Sequence, residues 1–236
     1  MYLADTVKFY DEIYSRMKNY EEEASTVREW IQKIRPHAKT LLDVACGTAE
    51  HAKYLKKNYI IDGLDLGADF LEIAKAKNPE CSYHQGDMKD FQLNKKFDVI
   101  ISLFSSIGYV QTYENLVKAL KCFSTHLAPN GLIVVEPWLT PDVWTAGRLK
   151  MITIDEPDLK VCRTNVNETR NGMSYFQWHF LIAKAPPFGV KYFTEEHTLG
   201  LFSVDQMKAA FSEAGLKVQH DEKGIFGRGL YLAEKA

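Results

Sequence analysis

Between Thr40 and Glu136 the chain alternates strand-like and helix-like runs: TLLDV, AEHAKYLKK, YIIDGL, GADFLEIAKAK, CSYHQ, FDVIIS, TYENLVKALKCFSTHL and GLIVVE. Such alternation predicts a parallel sheet, because a crossover helix returns the chain to the end of the sheet where it started. Helices then cover both faces, and ligands bind outside the carboxyl ends of the strands. Those ends are where function is to be sought. Pro129-Asn130-Gly131 is a turn signal before the last strand of the series. His126, just ahead of it, falls at the amino-end side of the sheet and reads as structural.

The first strand stops in a small-residue turn, Ala45-Cys46-Gly47-Thr48-Ala49, that opens straight onto a helix. A turn of this kind brings backbone amides and the positive end of a helix against a ligand. Alone it is a weak signal, since many α/β proteins carry one with no ligand. Its continuation is more specific. The second strand ends at Asp65, about twenty residues on, where a carboxylate can accept hydrogen bonds from both ribose hydroxyls. Asp65 also suits the N-cap of the next helix, and the two roles are compatible. A third strand ends at Gly86-Asp87-Met88, where Asp87 can take an adenine amine while Met88 covers the ring.

A small turn, an Asp and a second Asp at three successive strand ends resemble the class I S-adenosylmethionine (SAM) dependent methyltransferases. DVACGTA stands where that family has D/E-x-G-x-G-x-G, with Ala45 and Ala49 in place of the outer glycines. A dinucleotide oxidoreductase is the competing reading, but its loop needs three glycines to pass a pyrophosphate and only Gly47 is present. The resemblance implies an α/β, Rossmann-like sheet of seven strands.

Length allows a single large domain, 1–236, and the even mix of acidic and basic residues, net charge −2, argues against a nucleic-acid or membrane-surface partner. A small-molecule substrate is the better expectation. No apolar run approaches the ~20 residues that span a bilayer, and the N-terminus lacks a basic start followed by an apolar core, so a cytoplasmic protein is predicted. Cys46, Cys81, Cys122 and Cys162 are scattered with no C-x-x-C pair, which argues against a metal knuckle or a disulfide framework. Cys46 reads as a small filler within the turn.

Around this core the sequence predicts three further parts. Residues 1–36 form a helical cap of two amphipathic helices ended by Pro36, in which Tyr14 and Tyr20 flank the polar SRMKN and either pack on the sheet or present hydroxyls to a ligand. Residues 40–138 are the cofactor core. Its fourth strand ends in Leu103-Phe104-Ser105-Ser106, either lining a reaction channel or capping a helix. Its fifth ends in Glu136-Pro137-Trp138, and a carboxylate there is hard to explain by packing, since Glu is rarely buried unpaired.

Residues 139–200 break the alternation and read as an antiparallel β insert after the fifth strand, with a hairpin at Asn171-Gly172. Such an insert forms a lid or a dimer surface, and its His179 and His197 are either acceptor contacts or satisfied strand residues. Residues 201–236 complete the core sheet with a helix, from the Ser203 N-cap to the Gly215 terminator, and two closing strands. Arg228 lies between two glycines at the start of the last strand, as a phosphate partner or a solvated loop charge.

Beyond the core, the chain resembles the small N,N-dimethyltransferases of dTDP-3-amino-3,6-dideoxyhexoses, of the desosamine and mycaminose type in antibiotic-sugar pathways. The resemblance rests on separated blocks: YDEIY, KNYEEEA, LLDVACGT, HQGDMKDF, FSSIGY, VVEPW, the WHF strand and GRGLY. It implies SAM as methyl donor, bound by Tyr20, the turn Ala45, Cys46, Gly47 and Thr48, and Leu103. Asp65 with Leu66 would take the ribose, Asp87 and Met88 the adenine. Tyr14, Glu136, Trp138 and Arg228 are implied around a dTDP-amino sugar, with Arg228 on the pyrophosphate; Ser105 and His179 are further candidates for substrate contact, and Glu136 or Tyr14 for holding the reacting amine. A homodimer is the family expectation, and no metal is expected. The sequence departs from the family at Ala49, at Leu139 where a second tryptophan is usual, and in being one residue shorter before Tyr20.

Overall fold

The computed structural model describes residues 4–236 and contains two sheets. The first is built from β1 (Thr40–Val44), β2 (Ile60–Asp65), β3 (Ser82–Gln85), β4 (Phe97–Ser102), β5 (Leu127–Val135), β10 (Leu216–Asp221) and β11 (Leu230–Lys235). Its seven strands lie in the order β10-β11-β5-β4-β1-β2-β3. β1 to β5 are parallel, while β11 runs antiparallel to both β5 and β10. The strand order reverses between β1 and β4, which opens a crevice at their carboxyl ends.

Alternation within β1 shows how the sheet is held. Leu42 and Val44 enter a core with α5 (Tyr113–His126) and α6 (Val204–Glu213), while Leu41 faces α2 (Tyr20–Ile34) and α3 (Glu50–Leu55) through Val27, Ile31 and Leu55. The strands are therefore buried on both faces, as their continuous apolar runs require. Helix ends follow local chemistry. Asn19 caps α2 by accepting from Glu22 N at 3.2 Å, and Ser203 with Gln206 forms a capping box on α6.

Two local expectations shift. α3 ends at Leu55, short of the run AEHAKYLKK, and the Pro129-Asn130-Gly131 turn lies inside β5. There it is an irregularity: Phe97 pairs with Leu127 but Val99 with Leu132, and Asn130 takes up the kink at φ 60°. His126 is buried on that side, where its Nε2 accepts from Leu93 N at 3.0 Å.

The second sheet follows β5 and is antiparallel throughout: β6 (Leu149–Asp155), β7 (Leu159–Arg170), β8 (Met173–Lys184) and β9 (Gly189–Leu199), in chain order. Asn171 and Gly172 close the β7–β8 hairpin with φ of 51° and 75°, the left-handed pair that a two-residue turn demands. The chain leaves β9 through Gly200, whose N–H donates to Gly108 O at 2.8 Å and so ties the insert to the 3-10 helix Ser106–Val110 that follows β4. α1 (Ala4–Tyr14) spans the two sheets, with Asp11 bound to Lys77 and Glu12 to Lys184. Among the described residues no helix is long and apolar enough to cross a membrane.

Candidate active site

A cavity of about 770 Å³ lies between the carboxyl edge of the first sheet, α1 and the inner face of the second sheet. That is ample for a cofactor and an acceptor together. Of the residues singled out from the sequence, Tyr14, Ala45, Gly47, Asp65, Leu66, Asp87, Met88, Ser105, Trp138 and Arg228 line it.

On the first-sheet side the turn after β1 is left-handed at Ala45 (φ 61°), Gly47 (φ 54°) and Ala49 (φ 57°). The alanines thus adopt a backbone that glycine would take without steric cost, which is why glycine suits these positions. Asp65 is fixed at both oxygens: Oδ2 accepts from Gly47 N at 2.8 Å and Oδ1 from Gly67 N at 2.9 Å. One carboxylate thus joins the ends of β1 and β2 and serves the helix entry as well. Burial raises its pKa, and the backbone amides of Gly67 and Gly47 oppose that shift. Asp87 is turned by Lys89, whose N–H donates to Oδ1 at 3.0 Å.

On the other side Glu136 is 1% exposed and does not line the cavity. Its Oε2 accepts from Phe104 N at 2.6 Å and its Oε1 pairs with Arg228 Nη2 at 2.7 Å. Phe104 and Ser105 are both left-handed, at φ 52° and 60°, a strained pair held by Glu136 and by Ser105 Oγ donating to Pro137 O at 2.7 Å. Tyr14 lines the cavity with its hydroxyl accepting from Arg163 Nη1 at 3.0 Å.

The remaining singled-out residues lie off the cavity. Thr48 is buried and donates to Asp11 at 2.5 Å, locking the turn to α1. Cys46 packs its sulfur where a side chain on Gly63 would stand, and burial raises its thiol pKa. Leu103 belongs to the core beneath. Tyr20 lines an adjoining groove with Lys18 and Asp11, its ring edge-on to His51 at 5.0 Å and its pKa raised by burial. His179 faces away: β8 turns Phe176, Trp178 and Phe180 inward, so the intervening His179 meets Tyr192 at 2.6 Å on the outer face. The expected acceptor contact of His179 with this cavity is therefore not made.

The largest omission of the sequence reading is on β7, where Arg163, Asn165 and Asn167 line the cavity. The spacing i, i+2, i+4 was the available signal. In VCRTNVNETR the polar set alternates with Val166, which is exposed, so the strand is amphipathic in the inverted sense. Lys150 joins them at the wall, its pKa lowered by burial and by Arg148, Arg163 and Arg228. Lys18 was also missed. Its buried ammonium lies 3.0 Å from Glu23 and 3.3 Å from the centre of the Phe104 ring, and burial lowers its pKa.

Residues 41–131 match the Methyltransferase domain family. Over 238 aligned residues the chain is 37% identical to dTDP-3-amino-3,4,6-trideoxy-alpha-D-glucopyranose N,N-dimethyltransferase of Streptomyces venezuelae, covering 100% of both chains. The crystal structure of Streptomyces venezuelae DesVI superposes with a TM-score of 0.93, at 37% identity and full coverage of both chains. SAM-bound CalS10, an amino pentose methyltransferase from Micromonospora echinaspora involved in calicheamicin biosynthesis, superposes at 0.88 with 29% identity, covering 100% of this chain and 98% of that one. Fold, turn and strand-end carboxylates together define a class I SAM-dependent methyltransferase. Within that class, the chain belongs to the family of the dTDP-amino-sugar N,N-dimethyltransferases.

The cavity fits SAM on its own evidence. The space off Gly47 is open for a ligand to approach the backbone, and the Asp65 and Asp87 carboxylates stand at its edge as acceptors for hydroxyl and amine hydrogens. Among the described residues no group of three or more His, Cys, Asp or Glu could hold a metal ion.

Proposed function

We propose that this methyltransferase acts on the amine of a dTDP-linked amino sugar. The observation that carries the reading is the division of one cavity into two walls. The first sheet offers Gly47, Asp65, Asp87 and Met88, suited to an adenosyl group. The opposite wall offers three cations, Lys150, Arg163 and Arg228, beside Asn165 and Asn167. Cations so gathered suit a diphosphate, and Trp138 and Trp144, pinned through Nε1 to Ser174 at 2.9 Å and Thr169 at 3.1 Å, suit a nucleobase. Of the predicted 1–36 cap, residues 1–3 lie outside the described residues; the rest would cap the cavity, while 40–138 would hold the cofactor, 139–200 select the acceptor and 201–236 bring in Arg228.

SAM supplies an electrophilic methyl on a sulfonium leaving group, so most of the acceleration can come from approximation. Tyr14, held by Arg163, would orient the acceptor. Glu136, too deep to touch it, would act through Arg228 and the Phe104 backbone. Tyr20 and Lys18, in the groove beside the turn, would serve the methionyl end of the cofactor. Incubation with SAM and a panel of dTDP-amino sugars, read by mass, should give a gain of one or two methyl groups. Methylation of an amine lacking the nucleotide, with the sugar nucleotides untouched, would overturn the acceptor assignment.

The outer face of the second sheet exposes Leu149, Met151, Val166, Leu181, Val190 and Tyr192, and His179 lies among them. These apolar residues occupy adjoining positions in successive strands, and a second copy of this chain would bury them by an isologous contact.

A further inference from the structure

Beyond the residues that bind, the inner face of the second sheet carries a buried acid and imidazole. Glu195 and His197 alternate on β9 and are 2% and 1% exposed, among Phe176, Trp178 and Leu199. Burying an ionisable pair in an aromatic cluster is costly. His197 Nδ1 lies 2.7 Å from the hydroxyl of Tyr109, and its Nε2 lies 3.5 Å from Glu195 Oε2. Tyr109 lines the cavity. A hydroxyl at the cavity, an imidazole behind it and a carboxylate behind that are thus in series.

The placement depends on close packing of two elements. Tyr109 follows Gly108 in the 3-10 helix, and a Cβ at Gly108 would stand 2.9 Å from the Leu199 side chain and 3.1 Å from Trp138. A side chain at Gly108 would push Leu199 aside, so glycine lets this helix approach the end of β9 closely, and the Gly200 N–H to Gly108 O bond holds it there. Tyr109 is thereby set against His197.

We propose that Tyr109, His197 and Glu195 form a proton relay that accepts the proton of the acceptor's ammonium group. The inference rests on the amine-acceptor reading above. An amine is mostly protonated at neutral pH, and only its free lone pair can attack. In the relay an N–H proton of the ammonium passes to Tyr109 Oη while the phenolic hydrogen passes to His197 Nδ1, leaving a neutral amine and an imidazolium beside Glu195. The nitrogen lone pair then bonds the methyl carbon, and the S–CH3 bond breaks with its electron pair returning to sulfur. Tyr109 touches the acceptor and is the catalytic member; His197 and Glu195 act through it. Among the described residues, burial lowers the pKa of His197, Glu195 on the same strand opposes that shift, and Arg163 from β7 adds to it. The imidazole is therefore neutral at rest.

Two measurements test this on the full chain. Nitrogen-15 NMR of imidazole-labelled protein, with His197→Gln assigning the signal, should show a bare, hydrogen-bonded Nδ1 whose shift changes in Tyr109→Phe; a hydrogen on Nδ1 would run the relay backwards and end the proposal. In the second, kcat is followed against pH. Tyr109→Phe should lose roughly 10²-fold near neutral pH and regain it as pH rises through the pKa of the amine. His197→Gln should move the same limb, with S-adenosylhomocysteine affinity unchanged in both as the check on folding. Profiles parallel to that of the unaltered chain would overturn the relay and leave the acceptor reading intact. No turnover of any amino-sugar nucleotide by the unaltered chain would remove both.

Discussion

Glu136 and Arg228 meet at 2.7 Å although 92 positions separate them in the chain. The antiparallel course of β11 is what joins them: Tyr231 pairs with Val135, so the residues just before β11 lie beside those just after β5. Glu136→Gln keeps an acceptor for Phe104 N–H but removes the charge opposite a largely buried Arg228. Removing one partner of such a pair should cost about 3–5 kcal/mol of stability, seen as a lower denaturation midpoint. Steady-state kinetics should show a raised acceptor KM, with calorimetric SAM affinity little changed. A fall in kcat alone would assign Glu136 a direct part in the chemistry.

Asp65 is held in place by two backbone amides before any ligand arrives. Asp65→Ala should weaken S-adenosylhomocysteine binding by about 1.5–3 kcal/mol, the range for hydrogen bonds to a charged group. Isothermal calorimetry measures it. Unchanged affinity would remove Asp65 from the cofactor site.

Asp43 lies inside β1 with Oδ2 unpartnered among the described residues, and burial with Asp65 nearby pushes its carboxyl up to about 8. The folded state therefore holds a proton that the unfolded chain releases near 3.9, so stability falls as pH rises from about 4 to 8. Asp43→Asn should remove that slope. The difference in melting temperature between variant and unaltered chain should grow with pH up to about 8 and then level off; a constant difference would mean that Asp43 is ionised in the folded chain.

Leu181 and Tyr192 pair across β8 and β9 on the exposed apolar face. Leu181→Asp should convert a dimer to monomers in sedimentation velocity, because a charge at the centre of an isologous contact is met by its own copy. A chain already monomeric before the change would exclude the second copy as the occupant of this face.

The cavity wall assigned to SAM could be read from the sequence because its elements are local. A strand, a small turn, and an Asp at each of the next two strand ends follow one another within about fifty residues, and parallel topology carries all of them to one edge. The opposite wall, proposed for the acceptor, could be read only in pieces. Arg228 and Trp138 stood out by position, whereas Arg163, Asn165 and Asn167 were hidden in a strand whose polar face turns inward, against the usual sense of burial.

By itself the sequence determined the order of elements, the two sheet types and the residues at the carboxyl edge, since these follow from periodicity, turn chemistry and short-range spacing. The tertiary structure alone decided that Glu136 supports Arg228 and does not line the cavity, that His179 faces outward while His197 faces Tyr109, and that a polar stripe on β7 closes the site. The physical reason is that strand alternation leaves each side chain two possible faces. Only packing against the first sheet and α1 settles which face is inside.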